Sequence, residues 1–317
     1  MTTATRTTAA GTDPPDDAST RQSRDDAWWT GPLLAPSAST LPHGHFLIEP
    51  YVYDLIVYGH YDDAGAAERA AREHNYGSLT YVLYGVTDRL TVGAIPRFGL
   101  AHVVSGNGSS GAGVGDVTVQ AQYRLALFQE GRRVPTISLT FGETFPTGKY
   151  DHLSSSASDA LGSGAYTSIL SAYSQYFFWM PNGRIVRTRL NLSYSRSSGV
   201  DIRDRSVYGT ALGFHGTAQP GDSVVLDSAW EYSITRKWVA AFDIVYERDG
   251  RTLVDGMTAQ QTNVSDAFPS SASLIVAPAI EYNWSGKAGI IVGARIVPRG
   301  RNAAASFAPV VAINLVY

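Results

Sequence analysis

The sequence predicts an all-β fold, an antiparallel transmembrane β-barrel of about twelve strands. Three observations point there: long runs alternate apolar and polar residues at period two, the connections between them alternate short and long, and aromatic residues gather at the short-turn ends. Only 17% of residues are charged, below the roughly 25% usual for soluble domains, while 44% are hydrophobic. No stretch approaches about 18 consecutive apolar residues, so no transmembrane helix is expected. The net charge of −3 points to no nucleic-acid partner, and the lack of Cys excludes disulfides and thiolate metal sites.

Residues 1–45 are rich in Thr, Ser, Pro and Asp and are expected to be disordered or to plug the barrel in part. Residues 1–27 show no apolar h-region, so export is expected to depend on a start that differs from this one. The barrel is expected to occupy 46–317. Its first strand, near 46–58, carries an acid on each face, Glu49 and Asp54, which leaves its facing open. The segment AGAAERAAREH (64–74) reads as a short helix in the first long loop, with Glu68 and Arg72 spaced i,i+4.

Strands near 76–87 and 90–103 flank the tight turn of YGVTDRLTVGA (84–94). The same design returns in YSITRKWVAAF (232–242) and YNWSGKAGIIV (282–292): a Tyr, an apolar side chain two residues on, a polar turn, then a second alternating run. Residues 114–128 give the clearest strand. Val117, Val119, Ala121, Tyr123, Leu125 and Leu127 share one face; Asp116, Thr118, Gln120, Gln122 and Arg124 share the other. Strands near 134–145, 164–178 and 185–197 follow, the last setting Leu190, Leu192 and Tyr194 against Arg187, Arg189 and Asn191. The remaining strands lie near 222–234, 238–248, 272–284, 287–298 and 306–317. Most run longer than the usual mode of about 5–6 residues and match the roughly 9–11 that a tilted membrane strand needs.

Short turns near 88–89, 129–133, 179–184, 235–237 and 285–286 alternate with long loops near 59–75, 104–113, 146–163, 198–221 and 249–271, and 299–305 is intermediate. Short periplasmic turns and long outer loops are the outer-membrane pattern. The apolar rows then face lipid, and the opposite rows line the lumen. The expected lumen residues are Arg97, Asp116, Gln120, Gln122, Arg124, Arg187, Arg189, Asn191, Asp227, Glu231, Asp243, Glu247, Glu281 and Arg295. Their charges would act as cross-strand ion pairs or as a transverse field on a solute. Phe145, Pro146, Thr147 and Gly148 are a candidate constriction, turned in over the pore.

Other motifs carry less. GNGSSG (106–111) matches a dinucleotide fingerprint but precedes a strand, not a helix, and reads as a loop. GETFPTGKY (142–150) has the wrong spacing for a phosphate loop and Tyr150 where Ser or Thr must hold magnesium. His102 has Val104, not Ser, two residues on; His152 and Ser154 share a Ser-rich loop; His43 and His45 read as solvated. No catalytic residue, cofactor or metal site is assigned.

Five stretches taken together, LPHGHFLIEPYVY, YGVTDRLTVGA, GDVTVQAQYRL, FPTGKYD and EYNWSGKAGIIVGAR, resemble the outer-membrane transporter family associated with the meta-cleavage pathway of phenol degradation. The matches span 41–317. The resemblance implies a bacterial outer-membrane barrel that passes small, often aromatic, compounds and carries over no catalytic residue. The terminal Tyr317 likewise resembles the C-terminal sorting signal of such barrels, which implies the barrel-assembly machinery as a partner beside outer-membrane lipid and a small-molecule solute. Passive diffusion through the lumen is the expected function. The alternative is a closed structural or surface-interaction barrel without transport.

Overall fold

Phe46 and Tyr317 exchange backbone hydrogen bonds at 3.2 and 2.9 Å, and that seam joins the first strand of the chain to the last. The structure is a computed structural model, and it describes residues 21–103, 112–154 and 159–317. The strands are β1 (Phe46–Tyr61), β2 (Ala67–Thr87), β3 (Leu90–Ile95), β4 (Arg97–Val103), β5 (Gly113–Val114), β6 (Val117–Ala126), β7 (Thr136–Phe145), β8 (Thr167–Trp179) and β9 (Ile185–Ser197). They continue with β10 (Val200–Arg203), β11 (His215–Gln219), β12 (Ser223–Ser233), β13 (Trp238–Asp249), β14 (Thr252–Met257), β15 (Asn263–Phe268), β16 (Ser271–Ser285), β17 (Ala288–Arg301) and β18 (Ala303–Val316).

Fourteen of these pair in one sheet, and β1 meets both β18 and β2, so the sheet closes. Pro96, which has no N–H to give a ladder, separates β3 from β4; β5 and β6 are likewise two pieces of one strand. The fourteen segments therefore make twelve staves, all antiparallel. Closure leaves no unpaired edge in the apolar layer of a membrane.

Register sorts the faces. Val119, Tyr123, Leu125, Leu139, Phe141, Leu170, Leu190, Leu192, Phe242, Ile244, Val292, Val311 and Ile313 all stand exposed on the outside. At the short-turn end the outward rings meet in pairs: Phe46 with Tyr84 at 4.5 Å between centroids, Trp238 with Tyr282 at 4.7 Å. Tyr317, Trp284 and Trp230 are exposed beside them, the placement of an interfacial girdle. The first strand resolves the same way. Phe46, Ile48 and Val52 are outward. Glu49 therefore points inward, accepting from Asn314 Nδ2 at 3.1 Å, and Asp54 points outward against His74 at 2.8 Å.

Two expectations need correction. The segment 64–74 is not a helix. From Ala67 it is β2, paired with β1 through His60 opposite Glu68 and Tyr61 opposite Ala67. Alanine's helix preference is worth tenths of a kcal/mol per residue, and a ready-made strand to pair with outweighs it. The Asp62 carboxylate, accepting from the Ala66 N–H at 2.8 Å, turns the hairpin instead. The connection at 299–305 is also nearly absent, because β17 and β18 run to within one residue of each other at Asn302 (φ 48°).

The long loops at 198–221 and 249–271 rise as a second sheet, ordered β10-β11-β14-β15. Its core holds Val200, Ile202, Phe214, Ala218 and Val254, with Ala165 from the neighbouring loop. The loop after β7 docks on it. His152 and Asp204, both at positive φ (49° and 58°), pair at 2.6 Å. Ser154 donates its N–H and its hydroxyl to Asp159, each at 2.9 Å. Asp159 sits under partial burial, which would raise its pKa; the Lys149 ammonium and the Ser154 N–H and hydroxyl outweigh that and hold it down at about 2. The GNGSSG motif lies outside the described residues.

Candidate functional site in the barrel lumen

The inward face is split lengthwise. One side, β6 to β9, is built from short hydroxyl and amide side chains that satisfy one another: Thr118 with Thr144, Gln122 with Ser138 and Ser171 with Ser193, each at 2.8 Å. The other side, β1 with β16 to β18, is apolar. Tyr51, Tyr53 and Leu55 pack with Ala308, Val310, Ala312, Ala277 and Ile291. Higher up, Tyr61, Val245, Ile275, Val297 and Ala305 continue the wall. The small row of the last strand is therefore lumen lining, which a polar-lumen expectation missed. Its signal was the run of Ala308, Val310 and Ala312.

Between the two halves lies a charged core. Arg187 on β9 grips Glu231 on β12, donating from Nε at 2.6 Å and also from Nη2. Arg189 Nε approaches the same carboxylate at 3.3 Å. Glu231, Asp243 and Glu281 are all 0% exposed. Burying a carboxylate without partners costs several kcal/mol, and two guanidinium groups do not cover four acids, since Asp227 is buried too.

The missing donors come from residues 21–42, which enter at the short-turn end, cross the lumen and return. Gln22 is tied to the turn at Gly183 and to Ser233. Thr30 donates its backbone N–H to Glu281 at 2.7 Å, and Leu33 and Ala35 donate theirs to Asp243 at 3.1 and 3.0 Å. The Ala35 carbonyl accepts from Arg189 at 2.7 Å, the Pro36 carbonyl from Asn191 at 2.9 Å, and the Ser37 carbonyl from Gln122 at 2.8 Å. Leu41 then donates to Thr91, and Thr40 to the Asp88 carbonyl in the β2–β3 turn. An extended segment has no internal ladder, so each backbone group needs an outside partner, and the lumen side chains supply them. Glycine makes room: at Gly289 a Cβ would fall 2.3 Å from Thr30 Oγ1, and Gly31 holds φ +134° beside the Arg189 guanidinium.

Below the crossing, Trp29 lies 6.4 Å from Phe177, Arg187 stacks over Trp29, and Arg24 lies over Phe177. With Phe128 and Ile185 these fill the periplasmic mouth.

By register, Arg97, Gln120, Arg124, Glu247 and Arg295 also face inward, the last two 3.8 Å apart. Asp116 does more than line the wall: it accepts from the Gly148 and Ser163 N–H groups at 2.9 and 2.8 Å and so folds Pro146–Gly148 over the outer rim. Phe145 is a correction. Strand parity sends its ring outward against Tyr166, 6.0 Å between centroids, away from any constriction.

Residues 60–306 match the family model described as "Putative MetA-pathway of phenol degradation". The chain belongs to this family. Among curated protein sequences, none matches. Among solved structures, the crystal structure of an outer membrane channel from Pseudomonas putida F1 is similar at a TM-score of 0.68 and 16% identity, over 90% of this chain and 100% of that one. The translocator domain of the autotransporter NalP from Neisseria meningitidis gives 0.43 and 12%, over 87% and 89%. The Pseudomonas putida toluene transporter TodX gives 0.41 and 12%, over 92% and 95%. The fold is that of an outer-membrane barrel, and the apolar belt with its aromatic girdle places this member of the family in that membrane.

Proposed function

We propose that the protein is a channel for passive diffusion of small apolar or aromatic molecules across the outer membrane, with residues 21–42 as a partial plug. The observation that carries this is the apolar inner wall from Tyr51 and Val310 up to Val245 and Val297, against which Leu33 and Leu34 of the plug pack. It runs beside two buried acceptors, Asp227 Oδ1 and Asn191 Oδ1, directly opposite in register and without a hydrogen-bond donor among the described residues. A ring would lie against the wall, and a hydroxyl on it would donate to that pair. The charged core holds the backbone of the plug, and Leu33 and Leu34 seat it on part of the wall. Membership of the phenol-degradation family agrees with this reading.

Uptake tests it. Cells whose outer membrane carries the protein should accumulate a radiolabelled monohydroxylated aromatic faster than cells that lack it, with Asp227→Leu narrowing the preference over the parent hydrocarbon. Equal uptake with and without the protein would favour the closed structural barrel.

A further inference from the structure

We propose that the outward face of β13, β16 and β17 binds a phosphorylated glycolipid of the outer leaflet through Arg248, Arg299 and Arg301. Register puts Arg248 opposite Ala272, and Ala272 opposite Arg301, in one row; Arg299 stands opposite Leu274, two residues below Arg301. Adjacent strands lie about 4.8 Å apart, so two guanidinium groups flank a notch about 10 Å across whose floor is a methyl group. All three arginines are exposed.

Height along the barrel decides what they meet. Rows climb from the periplasmic end of β9 to the outer part of β4: Val186, Tyr232, Ala240, Ile280, Val292, Val311, Val52, Ser78 and Phe98 are successive partners. On that slope Arg248 and Arg299 stand level with each other, Arg301 stands above both, and all three lie just beyond the outward Tyr246, Leu274 and Ile296. This is the level where acyl chains end and headgroups begin.

Their lack of counter-ions is the second observation. Some surface cations are compensated: Arg21 pairs with Glu130, Arg236 with Asp26, and Arg24 covers Phe177. Among the described residues none of the three has a carboxylate partner, and Arg301 reaches only Ser270 Oγ at 3.4 Å. The acids nearby are engaged: Asp249 faces inward and accepts from Ser271, Asp222 accepts from Tyr194, and Asp63 accepts from Asn302. Guanidinium groups bind phosphate in a two-pronged fork, and the aliphatic stems of arginines cover apolar surface. Tyr246, Ile244 and Phe242 continue that surface downward for acyl chains.

The test is binding of bisphosphorylated lipid A, its dephosphorylated counterpart and phosphatidylglycerol to the full chain in detergent, followed by native mass spectrometry. The protein should retain bisphosphorylated lipid A and neither of the others. Replacing all three arginines (R248Q, R299Q, R301Q) should weaken retention by about a hundredfold, since each arginine at an anionic lipid surface contributes about 1 kcal/mol. Arg89→Gln at the opposite rim should keep it. Heat-modifiability reports folding, and the double variant R299Q/R301Q serves if the triple does not fold. Unchanged retention in the folded variants, equal retention of phosphatidylglycerol, or equal loss in R89Q would each overturn the proposal.

Discussion

The carboxylate of Asp243, in the middle of the barrel wall, holds the backbone N–H of Ala35 at 3.0 Å, and that of Leu33 at 3.1 Å. One side chain thus fixes the deepest part of the segment that crosses the lumen. Asp243→Ala leaves two buried N–H groups without acceptors, at about 1–3 kcal/mol each. The chain has no native Cys, so Ala35→Cys is a unique reporter. Its labelling by a thiol reagent should quicken about tenfold or more in the Asp243→Ala background, with larger current steps in planar bilayers. Labelling at the parent rate would mean that the other contacts suffice to hold the plug.

Facing is testable by charge. Val119 and Ile244 stand outward in the belt, whereas Gln120 points into the lumen. Val119→Arg or Ile244→Arg should cost about 2–4 kcal/mol near the midplane. Gln120→Arg should cost much less. Refolding titrations into lipid vesicles compare the three, and equal costs would contradict the assignment.

Asp159 gives the outer loop a pH signature. Its folded pKa of about 2 lies below the roughly 4 of an unfolded Asp. A depressed carboxylate adds stability that is complete above the unfolded value and is lost as pH falls through the folded one. The loop contact with Lys149 and Ser154 should therefore hold from neutral pH down to about 4 and loosen between about 4 and 2. A carbon-detected NMR titration of the Asp159 carboxyl should show a midpoint near 2, and Lys149→Met should move it upward. A midpoint near 4 in the parent would show that the contact does not form.

Tyr317 bears on assembly. It is exposed at the girdle, and its backbone closes the ring with Phe46. Deleting it should lower the yield of folded, heat-modifiable protein in the outer membrane, while Tyr317→Phe should keep it, with all variants exported in the same way. Equal insertion of the deletion would make the terminal aromatic incidental.

The staves were legible because a strand with one face in lipid must alternate; Val117 to Leu127 and Phe307 to Tyr317 show it plainly. The hairpin at 61–67 was not, because AERAAREH carries helix propensity and only its partner β1 makes it a strand. The crossing segment was hidden for another reason. Residues 28–42 have no periodicity, since their conformation follows the acceptors and donors they meet rather than any repeat. The charges of Arg187, Asp243 and Glu281 were readable as inward; that two of the acids take backbone N–H groups from a distant segment was not.

The crossing segment enters and leaves by the same mouth, held at Gly183 where it goes in and at Asp88 where it comes out. Traction applied at Gln22 from the periplasm therefore meets its contacts in series: the turn at Gly183, then Glu281, then Asp243. A load that peels bonds one after another ruptures them at far lower force than one that shears them together. A pull from that side thus releases the segment's contacts one at a time, whereas thermal motion must break them together.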